Sequence, residues 1–225
     1  MTRLSIVVPA LEEAAFITET LAALQPLRAQ GHEVIVVDGG SRDATLLIAR
    51  LLSDRALAAR RGRAVQMNAG ARVATGDVLL FLHADSLLPS DAADAIERAV
   101  AAGALWGRFD VIIRGRPWIL KLVASMMNAR SRLTGIATGD QGIFVERALF
   151  ERIGGFKAIP IMEDIALCTT LKRAAGRPAC LRSRIATSGR RWETHGPWRT
   201  ILTMWRMRFA FALGADPARL VRQYR

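Results

Sequence analysis

Val78-Leu79-Leu80-Phe81-Leu82-His83-Ala84-Asp85-Ser86 opens with five apolar residues in a row and no polar residue alternating among them. A run of this kind reads as a strand covered on both faces, the pattern of a parallel sheet's interior. Asp85 stands just past its carboxyl end, where open α/β sheets bind their ligands. A plainer reading uses His83, Ala84 and Asp85 only to turn the chain out of the sheet, with Ser86 or Asp91 capping the next helix. The surrounding segments weigh between the two.

Upstream, the pattern occurs twice more. Leu4 to Val8 is an apolar strand broken only by Ser5 that Pro9 is expected to end, and Phe16, Ile17, Leu21 and Leu24 come next at helical spacing. Val34 to Val37 is a second buried strand, ending in Asp38-Gly39-Gly40-Ser41. Asp43 to Leu52 then predicts a helix with Leu47, Ile48 and Leu51 inward. Asp38 is thus a second acid at a strand's carboxyl end, beside glycines that let a ligand approach the backbone, and it suits a contact to a ribose or base. It equally suits an Asx turn closed on its own backbone. Arg55 to Ala59 is assigned as a short strand because the β–α rhythm requires one before Gly62. From Gly62 a helix begins whose amino end carries Arg63, a clamp for a diphosphate or a solvated charge.

The residues after the first strand exclude two common nucleotide sites. A dinucleotide fold places G-x-G-x-x-G there, and this chain has Pro9-Ala10-Leu11-Glu12-Glu13; no G-x-x-x-x-G-K-[ST] occurs anywhere. Phosphates must be held in another way.

The 225 residues suffice for one α/β domain with a full core, and 51% hydrophobic content fits a globular chain. The amino terminus leads straight into the first strand with no signal-peptide pattern, and two cysteines give no disulfide framework, so a cytoplasmic protein with reduced Cys168 and Cys180 is expected. The net charge of +12 is uneven: residues 1–110 balance at −2 and residues 111–225 at +14. Such a half attracts phosphate-bearing partners or an anionic membrane face. Arginine also outnumbers lysine heavily, as a compositionally biased genome would produce.

The blocks SIVVPALEE, VVDGGSRDAT, GRAVQMNAGA and FLHADSLLP stand in an order that resembles the family 2 glycosyltransferases, and the match continues through Thr138-Gly139-Asp140-Gln141-Gly142, Met162-Glu163-Asp164 and Ser188-Gly189-Arg190-Arg191-Trp192. Within the family the chain is most similar to a stand-alone group named for arsenosugar biosynthesis. The resemblance implies the glycosyltransferase A fold: a single Rossmann-like α/β nucleotide-diphospho-sugar transferase domain with a mostly parallel central sheet and helices on both faces. It implies a catalytic domain over residues 1–195 and an amphipathic helical tail over 196–225, packed on that domain or on a membrane or partner. It further implies transfer of a sugar from a nucleoside-diphosphate donor to a hydroxyl of a small-molecule or lipid acceptor, with Mg²⁺ or Mn²⁺ and inversion at the anomeric carbon.

Site roles carry over by position. Pro9, Leu11, Glu12 and Asp38 match the nucleotide pocket, Asp85 matches the last acid of the D-x-D metal motif, and Asp164 matches the catalytic base. His83 replaces the first acid of D-x-D, which leaves Asp85 alone to anchor the ion. Asp140 and Gln141 are expected at the donor sugar and the acceptor, although their flanking glycines suit an ordinary turn equally well. Arg190 and Arg191 are expected at the diphosphate beside Arg63, Trp192 at the acceptor, and His195 in the metal shell. Apart from any resemblance, Glu163 and Asp164 also fit a helix's first turn, since Ile165, Leu167 and Leu171 lie beyond them at helical spacing.

Trp106 to Ile113 predicts a strand. Pro117 to Leu133 predicts a helix with a stripe of Trp118, Ile119, Leu122, Val123, Met126 and Met127, a composition that usually belongs to a core, while Arg114, Arg116, Lys121, Arg130 and Arg132 around it would also fit a helix lying on anionic lipid. Pro197 to Leu213 combines aromatic residues with Arg199, Arg206 and Arg208, and no stretch reaches the length of uncharged apolar residues that spans a bilayer. That tail suits an anionic membrane face, the cover of an acceptor pocket, or pairing into a homodimer. Nucleic-acid binding would leave the strand-end acids without a task, and no nucleic-acid motif is legible. A sugar-nucleotide nucleotidyltransferase would need a glycine-rich arginine loop after the first strand, which is absent.

Overall fold

Leu4–Ala10 forms β1, and all seven of its residues are buried in this computed structural model, which describes residues 2–224 and, at His195 and residues 222–224, the backbone only. Leu4, Ile6 and Val8 belong to one hydrophobic core and Val7 to another, so the lack of alternation reflects cover on both faces. The first half continues with α1 (Ala14–Ala23), α2 (Gln25–Ala29), β2 (Glu33–Asp38), α3 (Thr45–Leu52), β3 (Arg55–Ala58), α4 (Arg63–Val73) and β4 (Val78–Phe81). The second half contains β5 (Ser86–Leu87), α5 (Ala92–Ala101), β6 (Trp106–Arg114), α6 (Ile119–Thr134), β7 (Ile143–Glu146), α7 (Arg147–Arg152), α8 (Glu163–Ala175) and β8 (Ala179–Ser188). Three helices complete the described chain: α9 (Arg190–His195), α10 (Pro197–Ala212) and α11 (Pro217–Tyr224).

The sheet order is β3-β2-β1-β4-β7-β6-β8-β5. The first four strands pair in parallel, β1 with both β2 and β4, and β2 with β3 at the sheet's edge. Beyond β4 the sheet is mixed: β7 lies antiparallel to both β4 and β6, β6 and β8 run parallel, and β5 is antiparallel to β8. Six of the eight strands therefore run one way and only β7 and β5 the other, so the sheet is mostly parallel as expected, with its antiparallel neighbours confined to the half beyond β4. Burial on both faces looks the same in sequence for either direction of pairing, so apolar runs alone carry no sign.

Pro9 does not end β1, which continues to Ala10. Val7 O accepts from Leu82 N–H on the β4 side, and Ala10 O from Gly39 N–H on the β2 side. Pro9 shares the side of Val7, where β4 has already ended, so its missing N–H leaves no ladder bond unmade. One core packs Ile17, Leu21, Ala49 and Ile96 of α1, α3 and α5 on the sheet; the other packs Met67, Leu149, Leu167 and Leu171 of α4, α7 and α8. Truncating any of the buried leucines to alanine costs about 2–5 kcal/mol. Gly70 lets α4 lie close on β1, since a Cβ there would collide with Val7.

Two helices differ from their expected faces. Leu47 and Leu51 of α3 are exposed, and Thr45 and Ala49 are the buried positions instead. On α6, Ile119 and Val123 are buried, but Trp118, Leu122 and Met126 are exposed. This stripe is wider than the face β6 covers. Fully buried Arg108 bonds Asp110, which also accepts from Arg132 Nη2 at 2.6 Å, and so ties α6 to β6. Ile161, Met162, Met207 and Leu220 form a third cluster, seating α10 and α11 on the segment just ahead of Glu163. Cys168 and Cys180 are free thiols, and burial pushes Cys168 up to about 12. Among the described residues no helix is long and apolar enough to cross a membrane.

Candidate active site

The parallel strands β1, β2 and β4 end along one rim, and a cleft of about 1790 Å³ opens there. Pro9, Leu11, Arg63, His83, Asp85, Asp140, Asp164, Arg190, Arg191 and Trp192 all line it. Pro9 and Leu11 lie at the end of β1, His83 and Asp85 follow β4, Asp140 sits in the turn between α6 and β7, and Arg63, Asp164 and residues 190–192 stand at the amino ends of α4, α8 and α9. The strand ends and the helices packed beside them bring these residues together.

On one wall, Arg190 joins two acids. Its guanidinium bonds Glu13 at 2.5 and 2.8 Å, reaches Asp85 Oδ2 at 3.4 Å and stacks over the Phe16 ring at 4.6 Å. A bidentate, stacked arginine is held in orientation as well as in position. Glu13 was not among the residues expected at the site; its only sequence signal is adjacency to Glu12.

On the opposite wall, Asp164 is fixed at the start of α8. Its Oδ2 accepts from Gly139 N–H at 2.9 Å and its Oδ1 from Ile165 N–H at 2.7 Å. Met162, immediately before the helix, has φ +66°, a left-handed conformation that costs a non-glycine residue of order 1–3 kcal/mol and concentrates at functional sites. Glu163 points inward, almost fully buried, with Oε1 on Arg63 Nε at 2.8 Å and Oε2 buried without a hydrogen-bond partner. Burial pushes Glu163 up, Arg63 opposes, and the charge of Asp164 adds to the rise.

His83 and Asp140 face each other at 3.3 Å. Burial alone would push His83 down and Asp140 up, but their mutual hydrogen bond and charge reverse both shifts, leaving His83 above its ordinary value and Asp140 below. His83 also packs on Gly139, where a Cβ would collide with the imidazole. The histidine that replaces the first acid of D-x-D therefore braces the Gly139–Gln141 turn on which Asp164 is anchored.

Three expected site residues lie elsewhere. Glu12 is exposed, with φ +54°, and its carboxylate accepts from Arg42 N–H at 2.8 Å. It latches the loop after β2 and does not line the cleft. Asp38 is buried, with Oδ2 accepting from Gly40 and Ser41 N–H at 2.9 Å each, while Oδ1 is buried and without a partner. Gln141, expected at the acceptor, is corrected: it is fully buried, donates to Ser131 Oγ at 3.0 Å and accepts from Thr138 N–H at 3.3 Å. Its turn directs it inward against α6. The side chain of His195 lies outside the described residues.

Among the described residues no cluster of three or more His, Cys, Asp or Glu side chains is arranged to cage a metal. Asp85 nevertheless offers the cleft a hard oxygen donor, paired with Arg190. Magnesium-type ions bound through substrate phosphates need only one or two protein carboxylates, so this donor set fits an ion completed by a diphosphate and water.

Similar folds and sequences occur among known glycosyltransferases. A mannosyltransferase from Pyrobaculum calidifontis, solved in complex with GDP-Man and Mn²⁺, superposes with a TM-score of 0.65 at 26% identity, over 98% of this chain and 64% of that one. S. aureus TarS 1-349 in complex with UDP-GlcNAc gives 0.68 at 20% identity, over 83% and 58%, a likeness of fold alone. In sequence, a PGL/p-HBAD biosynthesis glycosyltransferase of Mycobacterium tuberculosis is 38% identical over 104 residues, 43% of this chain. This chain spans only 40% of the length of that relative. The profile described as Glycosyl transferase family 2 matches residues 5–153, which contain all four parallel strands, Asp85 and Asp140. On that match, together with a glycosyltransferase A sheet and a cleft at its carboxyl rim, the chain belongs to glycosyl transferase family 2.

Proposed function

We propose that this protein transfers a glycosyl group from a nucleoside-diphosphate sugar to an acceptor hydroxyl, with inversion at the anomeric carbon. The observation that carries the proposal is the placement of Asp85, Asp164 and three arginines, Arg63, Arg190 and Arg191, around a single cleft. In the reaction the acceptor oxygen bonds the anomeric carbon as the bond to the diphosphate breaks, and the hydroxyl proton goes to Asp164. A carboxylate within hydrogen-bond reach is a sufficient base. Asp164 is held by two backbone N–H groups, so it stays in place while it works.

The leaving diphosphate gains negative charge. Arg63, Arg190 and Arg191 supply planar donors that suit phosphate oxygens. Mg²⁺ or Mn²⁺ held by Asp85, when bound, would add electrostatic stabilisation of the leaving group. Asp38 acts from behind the pocket wall: its buried carboxylate shapes the Gly39–Ser41 turn beside the nucleotide side of the cleft. Trp192 borders the acceptor side. Placement in the group named for arsenosugar biosynthesis, a cytoplasmic location, contact with an anionic membrane face and a catalytic unit over residues 1–195 with a separate tail belong to the same proposal, supported by sequence blocks and charge.

The test is a thermal-shift panel of UDP-, GDP- and dTDP-sugars with and without Mn²⁺, run beside Asp85→Asn. One donor class should stabilise the native protein, more strongly with Mn²⁺, and the variant should lose the metal-dependent part. No response to any donor, or an equal response in the variant, would overturn the assignment. Release of pyrophosphate instead of nucleoside diphosphate would move the protein to the nucleotidyltransferases.

A further inference from the structure

The cleft extends beyond the donor residues along α6 and α10. Leu122, Met126 and Leu133 of α6, with Trp198, Trp205 and Phe209 of α10, line this arm, and each leaves more than half its surface exposed. A contiguous apolar surface of that kind marks a site of interaction. Two cations interrupt it: Arg130 lies four residues after Met126, and Arg208 three after Trp205. Both line the cleft, and Nη2 of each is buried without a hydrogen-bond partner.

A guanidinium withdrawn from water without a partner is costly, and two side by side are costlier. Burial, then the charge of Arg208, drives Arg130 down to about 10, with Asp164 opposing. Burial lowers Arg208 as well, again against Asp164. The pair therefore stands close to Asp164, yet leaves donors that this carboxylate does not satisfy.

We infer that this arm of the cleft holds an amphiphilic acceptor whose anionic group, a phosphate or carboxylate, sits on Arg130 and Arg208 while a single apolar chain lies between α6 and α10. The inference rests on the glycosyltransferase reading and names the acceptor class for it. An anion between the two forks satisfies both orphaned Nη2 atoms and relieves the repulsion between them. It also brings the head group of the acceptor to the part of the cleft where Asp164 stands. The lining positions of α6 run back from Arg130 to Ile119, roughly 16 Å at helical rise, room for an alkyl chain of dodecyl class. A flat membrane would meet the exposed side chains without reaching the buried Nη2 atoms. A second copy of this chain would bring more charge of like sign.

The probe is dodecyl phosphate held below its micelle concentration, monitored by the fluorescence of Trp198 and Trp205 and by calorimetry. Dodecanol, inorganic phosphate and anionic or zwitterionic phospholipid vesicles are the comparison arms. Dodecyl phosphate should bind saturably at one per chain, about tenfold or more tighter than dodecanol or inorganic phosphate, and Arg130→Gln and Arg208→Gln should each weaken it by about tenfold or more. Leu122→Gln, at an exposed position where folding is not at stake, should weaken dodecyl phosphate and leave inorganic phosphate unaltered.

Equal binding of dodecanol would remove the anion from the inference, equal binding of inorganic phosphate would remove the chain, and variants without effect would remove the site. Binding to anionic vesicles with none to monomeric dodecyl phosphate would reassign the face to membrane adsorption and overturn the inference. The nucleotide-sugar thermal shift is read in parallel. Loss of the donor response with dodecyl phosphate binding intact sinks the transferase reading, and the reverse pattern sinks the acceptor class alone.

Discussion

Asp164→Asn separates the two tasks that this side chain performs. Asparagine keeps one acceptor oxygen, so one of the two backbone N–H groups, of Gly139 or Ile165, loses its partner. A lost hydrogen bond to a charged group costs about 1.5–3 kcal/mol, and removing a negative charge from the first turn of α8 adds about 0.3–1 kcal/mol. The sum is about 2–4 kcal/mol, small enough for a domain of ordinary stability to remain folded at 25 °C. For a chain of this size each kcal/mol moves Tm by about 2–4 °C, so a fall of about 4–16 °C is expected by calorimetry. Removing a general base lowers kcat by about 10²–10⁴. Nucleoside-diphosphate release with acceptor present, measured well below Tm, should show that loss while the donor-induced thermal shift persists. A variant that shows the stability loss but keeps kcat within a few-fold would make Asp164 a helix-start residue and nothing more.

Glu163 gives a pH signature of unusual sign. Its folded value lies above the ordinary one near 4.5, so its contribution to stability is full below that pH and is lost as pH rises through the folded value. Glu163→Gln should therefore gain on the native protein between about pH 4 and about pH 7.5 in urea unfolding, and an unchanged gap would contradict the burial argument. Gln141→Leu leaves the Thr138 N–H without its side-chain acceptor and removes one of the two hydrogen bonds of Ser131 Oγ, which keeps Asn128 O, and should cost about 1–3 kcal/mol in chemical denaturation, with the donor response retained at low temperature. A stable variant that loses acceptor turnover would return Gln141 to the site. Gly70→Ala forces a methyl onto Val7 and should cost about 1–3 kcal/mol, read as a lower denaturation midpoint with unchanged m.

Much of the donor side was legible along the chain. Apolar runs at Leu4–Val8, broken only by Ser5, and at Val34–Val37 and Val78–Leu82 announce strands buried on both faces, and an acid or glycine just past such a strand falls near the ligand rim. The short strand at Arg55–Ala58 was expected from the β–α rhythm. Where each acid points was not legible, because one torsion separates a ligand contact from a turn. Glu12 and Glu13 are neighbours, yet the left-handed backbone at Glu12 sends it to Arg42 and leaves Glu13 to Arg190.

Periodicity groups side chains on a face but does not say what the face meets. The stripe of α6 reads as core in sequence, and so does the outer face of α3 at Leu47 and Leu51; in space both run past their covering elements into solvent. The inward turn of Gln141, the mixed half of the sheet, and the meeting of Arg130 with Arg208 across 78 residues depend on packing between distant segments. Strand-end chemistry is local and survives in the order of residues. The far wall of the cleft arises only when α6, α8 and α10 come to rest beside one another, since burial and charge pairing are properties of neighbours in space.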